Sequence, residues 1–186
     1  EALSTIREDS VIYKPSGGLE ELRMVLGMVK TPETIEAFDV SNIMGEAAVG
    51  SMIYFYKGRP KNGEYRHFRI KTVSGVDDYA MMREIVGRRY SRMMKEGRCL
   101  PDLILIDGGK GHLGAACGEL EKLGISKVPV IGIAKEFERL YVKDKKDPII
   151  LPKESKALHL LQRIRDEAHR FAISYHKRLM SKRYRG

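Results

Sequence analysis

Apolar residues recur along the chain at two spacings, and these divide it into strands and helices. Between residues 35 and 73, three segments rich in β-branched and aromatic residues, 35–40, 47–56 and 65–73, are joined by short polar turns, which predicts an antiparallel meander. Further along, helical spacing alternates with short apolar runs: helices near 19–28, 78–96, 112–123 and 155–180, strands at 101–107 and 128–134. Residues 139–152 fit a hairpin or a loop with a charged tip.

The order of these elements predicts an α/β fold with a mixed five-stranded sheet and helices on both faces, like ribonuclease H. A right-handed crossover would place the strand ending at Asp107 beside and parallel to the strand ending at Asp39. We expect an N-terminal arm with a short helix over residues 1–30, the main domain over 31–180 and a basic tail over 181–186.

Composition is consistent with one folded domain. The chain has 186 residues, of which 42% are hydrophobic and 32% charged, enough to build a core. It shows no apolar run of membrane-spanning length, no export signal and no initiator Met, so we expect a piece of a longer, cytoplasmic protein. Cys99 and Cys117 are predicted to be free thiols of a reducing compartment.

Positive charge is concentrated at the C-terminal end. The formal net charge is +9, and the last 27 residues carry eight basic and two acidic side chains. A basic stretch of this kind suits a polyanion such as nucleic acid. A solvated helix with a loose tail would explain the same pattern.

Two carboxylates at strand ends are the first candidates for chemistry. If the strands ending at Asp39 and Asp107 are neighbours, their backbones are ~4.8 Å apart and both carboxylates can hold one Mg²⁺ or Mn²⁺ ion. Such a cation polarises a phosphodiester and activates water. Either residue taken alone could simply end its strand, because Asp is common in turns.

A glycine-rich turn and a histidine add to this group. Gly108-Gly109-Lys110-Gly111 lacks the full Walker A pattern, but it can present N–H groups and a lysine to a phosphate at a helix N-terminus. The alternative interpretation of this segment is a tight strand-to-helix turn with no role in phosphate binding. His169 borders the apolar stripe of the last helix, where a histidine is more often structural, and nearby Arg165 and Arg170 could hold a phosphate backbone. Lys110 and Lys135 could offset phosphate charge.

Five motifs in order carry a family resemblance. They are Phe38-Asp39-Val40-Ser41-Asn42, Asp77-Asp78-Tyr79-Ala80, Pro101-Asp102-Leu103-Ile104-Leu105-Ile106-Asp107-Gly108-Gly109-Lys110-Gly111, Ala134-Lys135-Glu136 and Arg165-Asp166-Glu167-Ala168-His169. Between about residues 35 and 176 the chain resembles the C-terminal nuclease domain of the UvrC family of bacterial nucleotide excision repair.

That resemblance implies a ribonuclease H-like endonuclease that makes the 5′ incision beside a lesion in double-stranded DNA, with Mg²⁺ or Mn²⁺. It implies a catalytic and metal-binding triad of Asp39, Asp107 and His169, with Asp78 as a possible further acid. UvrB, with UvrA upstream, is the implied partner, in the bacterial cytoplasm. The family's GIY-YIG nuclease would precede residue 1 and its helix-hairpin-helix module would follow residue 186. His112 replaces the usual glutamine and adds a possible metal ligand.

Two other functions remain open from the residues. Asp102 with Asp144-Lys145-Lys146 matches the residue types of the PD-(D/E)xK nuclease motif, although Asp102 opens its strand and the second group lies in a charged loop. Alternatively, the chain is a non-catalytic basic DNA-binding or docking module whose aspartates only end strands.

Overall fold

Helices and strands follow one another nearly as the apolar pattern predicts. The structure is a computed structural model that describes residues 17–42, 48–135 and 138–185. The helices are α1 (Gly17–Leu26), α2 (Asp78–Lys95), α3 (Lys110–Lys122) and α4 (Lys156–Arg183). The strands are β1 (Thr34–Ser41), β2 (Val49–Tyr56), β3 (Arg59–Pro60), β4 (Arg66–Arg69), β5 (Leu103–Asp107), β6 (Val130–Ala134), β7 (Arg139–Val142) and β8 (Ile149–Ile150). Residues 1–16, predicted as an arm, lie outside the described residues.

The strands form a mixed sheet in the order β3-β2-β1-β5-β6-β7-β8, and β4 also pairs with β2. Strands β1, β2 and β4 make the predicted antiparallel meander, and β1 runs parallel to β5 with Phe38 opposite Ile106. The ribonuclease H-like fold is confirmed. All five predicted strands are present, and β3, β7 and β8 bring the sheet to eight strands within the described residues. Segment 139–152 is a hairpin, since β7 and β8 pair antiparallel.

Helices cover both faces of this sheet. One face packs against α2 and α3 through a cluster that includes Phe38 and Ile106, whereas the other packs against α1 and α4 through a cluster that includes Ala37 and Leu105. Neighbouring residues of a strand point to opposite faces. Asp39 and Asp107 therefore point toward the α1 and α4 side.

Side chains fix where two of these helices begin. The Asp77 carboxylate caps α2 by accepting from the Ala80 N–H at 3.0 Å, and the Ser155 hydroxyl caps α4 by accepting from the Leu158 N–H at 3.1 Å. Helix α4 continues to Arg183, so part of the segment predicted as a tail extends the helix.

A buried ion pair ties α2 to β1. Arg89 lies on the buried side of α2 and donates to the Glu36 carboxylate at 2.8 Å. The Tyr90 hydroxyl donates to the same carboxylate at 2.7 Å. Glu36 and Tyr90 are fully buried. An unpaired charge in this position would be costly, so the three side chains act as one unit.

Two predictions about environment can be compared with the structure. Cys99 is exposed, Cys117 is buried, and both are free thiols as predicted. None of the helices in the described ranges is both long and apolar enough to span a membrane.

Candidate active site

Asp39 and Asp107 stand side by side on one face of the sheet. Asp39 lies near the end of β1, and Asp107 is the last residue of β5. The parallel register that pairs Phe38 with Ile106 makes them the next neighbours along the two strands. Asp39 is buried and Asp107 is half-buried. The structure therefore brings together the two carboxylates that the sequence predicts as a pair.

Burial disfavours the ionised forms of both, and repulsion from Asp107 adds to this effect at Asp39. The pKa of Asp39 rises from 3.8 to about 7, first because burial removes solvation and then because the Asp107 carboxylate is close. Burial also raises the pKa of Asp107, whereas the positive charges of Lys135 and Arg165 act in the opposite direction. A positive charge placed between the two carboxylates would relieve this penalty.

His169 approaches the pair from α4. Its Nδ1 lies 3.9 Å from Asp39 Oδ2, beyond hydrogen-bond distance, and its side chain is half exposed. His169 also favours the ionised form of Asp107. The three residues of the predicted triad thus converge from three elements, although within the described ranges no three His, Cys, Asp or Glu side chains form a ready cluster for a metal ion.

Asp78 lies at the rim of the same site. It opens α2, accepts a hydrogen bond from Asn42 Nδ2 at 2.9 Å, and is 3.9 Å from His112 Nε2. Its negative charge contributes to the raised pKa of Asp39. Asp78 is therefore near the carboxylate pair as well as in the first turn of a helix, and His112 is held beside Asp78.

The four basic residues predicted to contact phosphate divide into two kinds. Lys135 is exposed and lowers the pKa of both aspartates, and Lys110 is exposed at the start of α3. Arg165 is largely buried and bonds Glu138 at 3.2 Å, while Arg170 bonds Glu167 at 2.6 Å. The two lysines are thus open to a phosphate, whereas the two arginines hold carboxylates of their own chain.

The glycine turn has no room for a side chain at two of its positions, Gly108 and Gly111. A Cβ at Gly108 would lie 2.5 Å from the His112 ring, and a Cβ at Gly111 would overlap the Tyr79 hydroxyl group. Leu113 N–H, in the first turn of α3, donates to Gly109 O. The turn lets β5 pass directly into α3, which directs the helix N-terminus toward the carboxylate edge.

Two features of the site are missed by the sequence. Ser51 stands opposite Asp39 in the pairing of β1 with β2, and its buried Oγ has no hydrogen-bond partner among the described residues. Ser41 bonds His176 Nε2 at 3.0 Å, which joins the end of β1 to α4. Only the strand register and the path of α4 reveal these contacts, since 135 positions separate Ser41 from His176.

Residues of the alternative PD-(D/E)xK site are used differently. Asp102 Oδ2 accepts the N–H groups of Glu33 and Thr34 at 2.9 and 3.1 Å and pairs with Lys30 at 3.4 Å, at the opposite end of β5 from Asp107. In the described part of the chain, no hydrogen bond or ion pair joins it to Asp144 or Lys146. Asp102 therefore anchors the start of β1, and the structure does not assemble the alternative site.

The donor set fits a hard divalent cation. Two adjacent carboxylates whose ionised forms burial disfavours, an imidazole nearby and an unpartnered hydroxyl are oxygen and nitrogen groups of the kind that Mg²⁺ and Mn²⁺ accept, often with water completing the shell. Asp39 and Asp107 are the residues that would bind the cation directly.

Comparison with known proteins identifies the family. A solved structure, the crystal structure of human ENDOV, aligns with 76% of this chain and 86% of its own at 12% identity and a TM-score of 0.43, too distant to support a function. UvrABC system protein C of Dehalococcoides mccartyi is 50% identical over 169 residues, which cover 88% of this chain and 28% of the relative. The same protein of Chlorobaculum tepidum is 51% identical over 172 residues, 92% of this chain and 27% of the relative. The chain thus spans less than a third of these relatives. Residues 23–173 match the model of the UvrC RNase H endonuclease domain, and the chain belongs to that family.

Proposed function

We propose that this chain is the domain that hydrolyses a phosphodiester bond of damaged double-stranded DNA at the 5′ incision of nucleotide excision repair. The proposal depends on one observation above all: Asp39 and Asp107 converge on one face of the sheet, with His169 beside them. Relatives named UvrABC system protein C support the excision-repair context, with UvrB as the implied partner and UvrA upstream.

The proposed reaction assigns a task to each side chain. Asp39 and Asp107 hold Mg²⁺ or Mn²⁺, which when bound supplies positive charge to the phosphodiester and lowers the pKa of the attacking water. His169, half exposed at the mouth of the site, positions that water and takes up its proton. Lys110 and Lys135 hold the negative charge of the DNA backbone.

A non-catalytic role explains the aspartates less well. A residue that only ends a strand has no reason to be buried beside a second carboxylate, because that arrangement raises its pKa and costs stability. Such a cost is typical of sites that bind cations or perform chemistry.

Incision by the full-length protein, assembled with UvrA and UvrB on an end-labelled damaged duplex, tests the assignment. Asp39→Asn and Asp107→Asn should each reduce the 5′ cut by about 10³-fold or more, since the proposed chemistry needs both charges. The 3′ cut, which the family resemblance assigns to the GIY-YIG nuclease outside this chain, serves as an internal control for assembly. Asp166→Asn is the matched control, because Asp166 is exposed on α4 one turn from His169, and it should cut normally. An Asp107→Asn protein that cuts 5′ within twofold of wild type would exclude the proposed site.

Metal binding is measured separately on this chain. Added Mn²⁺ should broaden the backbone NMR signals around Asp39 and Asp107, and Asp107→Asn should abolish the broadening. Broadening centred on Asp102 instead would assign the cation to the other end of the sheet.

A further inference from the structure

A small cavity on the opposite face of the sheet is lined almost entirely by arginine. It lies between β4 and α2, has a volume of about 130 Å³, and its six lining residues are Arg66, Phe68, Arg88, Arg89, Arg92 and Arg98. We call it the arginine cavity. Every charged side chain in its wall is a guanidinium, and carboxylates just outside the wall pair with four of the five arginines and offset part of their repulsion.

Local structure explains how these residues meet. Arg66 and Phe68 are two positions apart in β4 and so face the same side, toward α2. Arg88 and Arg92 are one helical turn apart on α2, and the Arg88 guanidinium lies over the Phe68 ring at 5.5 Å from its centroid. Arg98 follows the end of the helix.

Many N–H groups of these arginines remain for a ligand. Arg66 donates from Nη1 to two backbone oxygens, and Arg92 donates from Nε to Glu96. Arg88 donates from Nη1 to Glu84 and to a backbone oxygen, and Arg98 donates from Nη2 to Glu64. These bonds use one nitrogen of each guanidinium. Each guanidinium has five N–H groups in a planar fork that matches a phosphate. Arg89, which is buried and bonded to Glu36, completes the lining.

The basic surface continues along α2. A second cavity of about 540 Å³ shares Arg88 and Arg92 and adds Arg83 and Lys95, together with Glu84 and Glu119. A chain of successive phosphates could follow this line, whereas a single small anion would use only the first cavity.

The arginine cavity is far from the carboxylate site. Asp78, at the start of α2, is close enough to Asp39 to raise its pKa, and Arg92 lies 14 residues further along the same helix, ~21 Å at 1.5 Å per residue. The cavity also opens on the α2 face, whereas the aspartates point toward α4. A phosphate bound there is not the one that is cut.

We propose that the arginine cavity binds a backbone phosphate of DNA at a second site, separate from the incision site. The proposed function contributes only the choice of DNA as the polyanion, and the contact would form whether or not Asp107 supports cleavage. Its role would be to anchor the duplex while the other face acts.

Binding of a fluorescein-labelled 20-base-pair duplex to this chain tests the site. Arg92→Gln/Arg98→Gln removes two cavity arginines and leaves buried Arg89 in place. We expect at least a tenfold loss of affinity at 100 mM salt, and a decrease of about two in the slope of log affinity against log salt, at about 0.9 per phosphate contact. The control Arg59→Gln/Arg163→Gln removes the same charge from exposed positions elsewhere and should lose threefold or less. Equal losses in the two double variants would show that only total charge matters, and would overturn the proposal.

Three further measurements separate the remaining outcomes. Asp107→Asn should bind the duplex as wild type does, so loss of cleavage and loss of the second contact are distinguishable. NMR signals of the arginine Nε–Hε groups should shift with duplex DNA at micromolar concentration. Shifts with inorganic phosphate or a polyglutamate peptide, but none with DNA, would assign the cavity to a free phosphate compound or an acidic protein and overturn the DNA proposal. Thermal melting of each variant, including the additional cavity variant Arg66→Gln, shows whether unfolding causes a loss of DNA affinity.

Discussion

Replacing Asp39 by asparagine should make the metal-free domain more stable at pH 8 while removing a carboxylate that the proposed reaction needs. Asp39 is buried beside Asp107, and its pKa is about 7 in the folded chain against 3.8 ordinarily. The folded state therefore holds the proton more tightly than the unfolded state. The contribution of Asp39 to the free energy of unfolding is largest below about pH 4. It falls as the pH rises from about 4 to about 7 and is constant at higher pH.

The size of this penalty follows from the two pKa values. At 1.36 kcal/mol per pKa unit, the difference between 3.8 and about 7 corresponds to an upper limit of about 4 kcal/mol above pH 7. Relaxation of the structure and entry of water reduce this penalty. We therefore expect Asp39→Asn to raise the free energy of unfolding by ~1.5–3 kcal/mol at pH 8. Near pH 4 the difference should nearly vanish, because the wild-type carboxyl is then protonated.

Urea unfolding with EDTA at pH 4.5 and pH 8 measures this difference. Asp102→Asn is the matched control, since that carboxylate accepts two backbone N–H groups and pairs with Lys30, so its loss should destabilise the domain by ~1 kcal/mol. Added Mn²⁺ should stabilise wild type by ~2.7 kcal/mol at 100 times its dissociation constant and leave Asp39→Asn unchanged. The reasoning is refuted if Asp39→Asn is no more stable than wild type at pH 8, or if its advantage does not grow with pH.

Three further sets of substitutions test structural contacts around the site. Arg89→Ala should lower the free energy of unfolding by ~3–5 kcal/mol, because it leaves the Glu36 carboxylate buried without its cation, and Glu36→Met/Arg89→Met/Tyr90→Phe, which removes all three polar groups, should recover most of that loss in urea unfolding. An Asp77→Ala protein should lose ~1 kcal/mol as α2 loses its cap, with the loss visible as a lower melting temperature; an unchanged melting temperature would contradict the capping role. Gly111→Ala should destabilise the turn before α3 because the new methyl group meets Tyr79, whereas Gly114→Ala, which meets open space one turn later, should be neutral or stabilise by up to ~1 kcal/mol.

The sequence was sufficient to predict the carboxylate pair because two short-range rules fix it. Apolar runs locate β1 and β5, and a right-handed crossover makes them parallel neighbours, so Asp39 and Asp107 meet. His169 is placed by the same logic only approximately, because its position depends on how α4 packs across the sheet. The family resemblance, rather than periodicity, supplied its role.

Other parts of the site depend on distant pairings that periodicity does not encode. Ser51 comes beside Asp39 only through the register of β1 with β2, and Arg165 meets Glu138 through a contact across 27 positions. The pattern that puts Arg89 on the buried side of α2 could not reveal Glu36, 53 positions away. The arginine cavity likewise needs the approach of β4 to α2, which no local pattern specifies.

Alternation along β1 links the core and the site in a way that constrains how this family can change. Phe38 belongs to one core cluster and Asp39, its neighbour, to the site on the other face. One residue inserted or deleted within β1 would put a carboxylate into the apolar cluster and an aromatic ring into the site. Substitutions can adjust this strand, but changes of length are confined to places such as the loop between β7 and β8, where no such alternation has to be preserved.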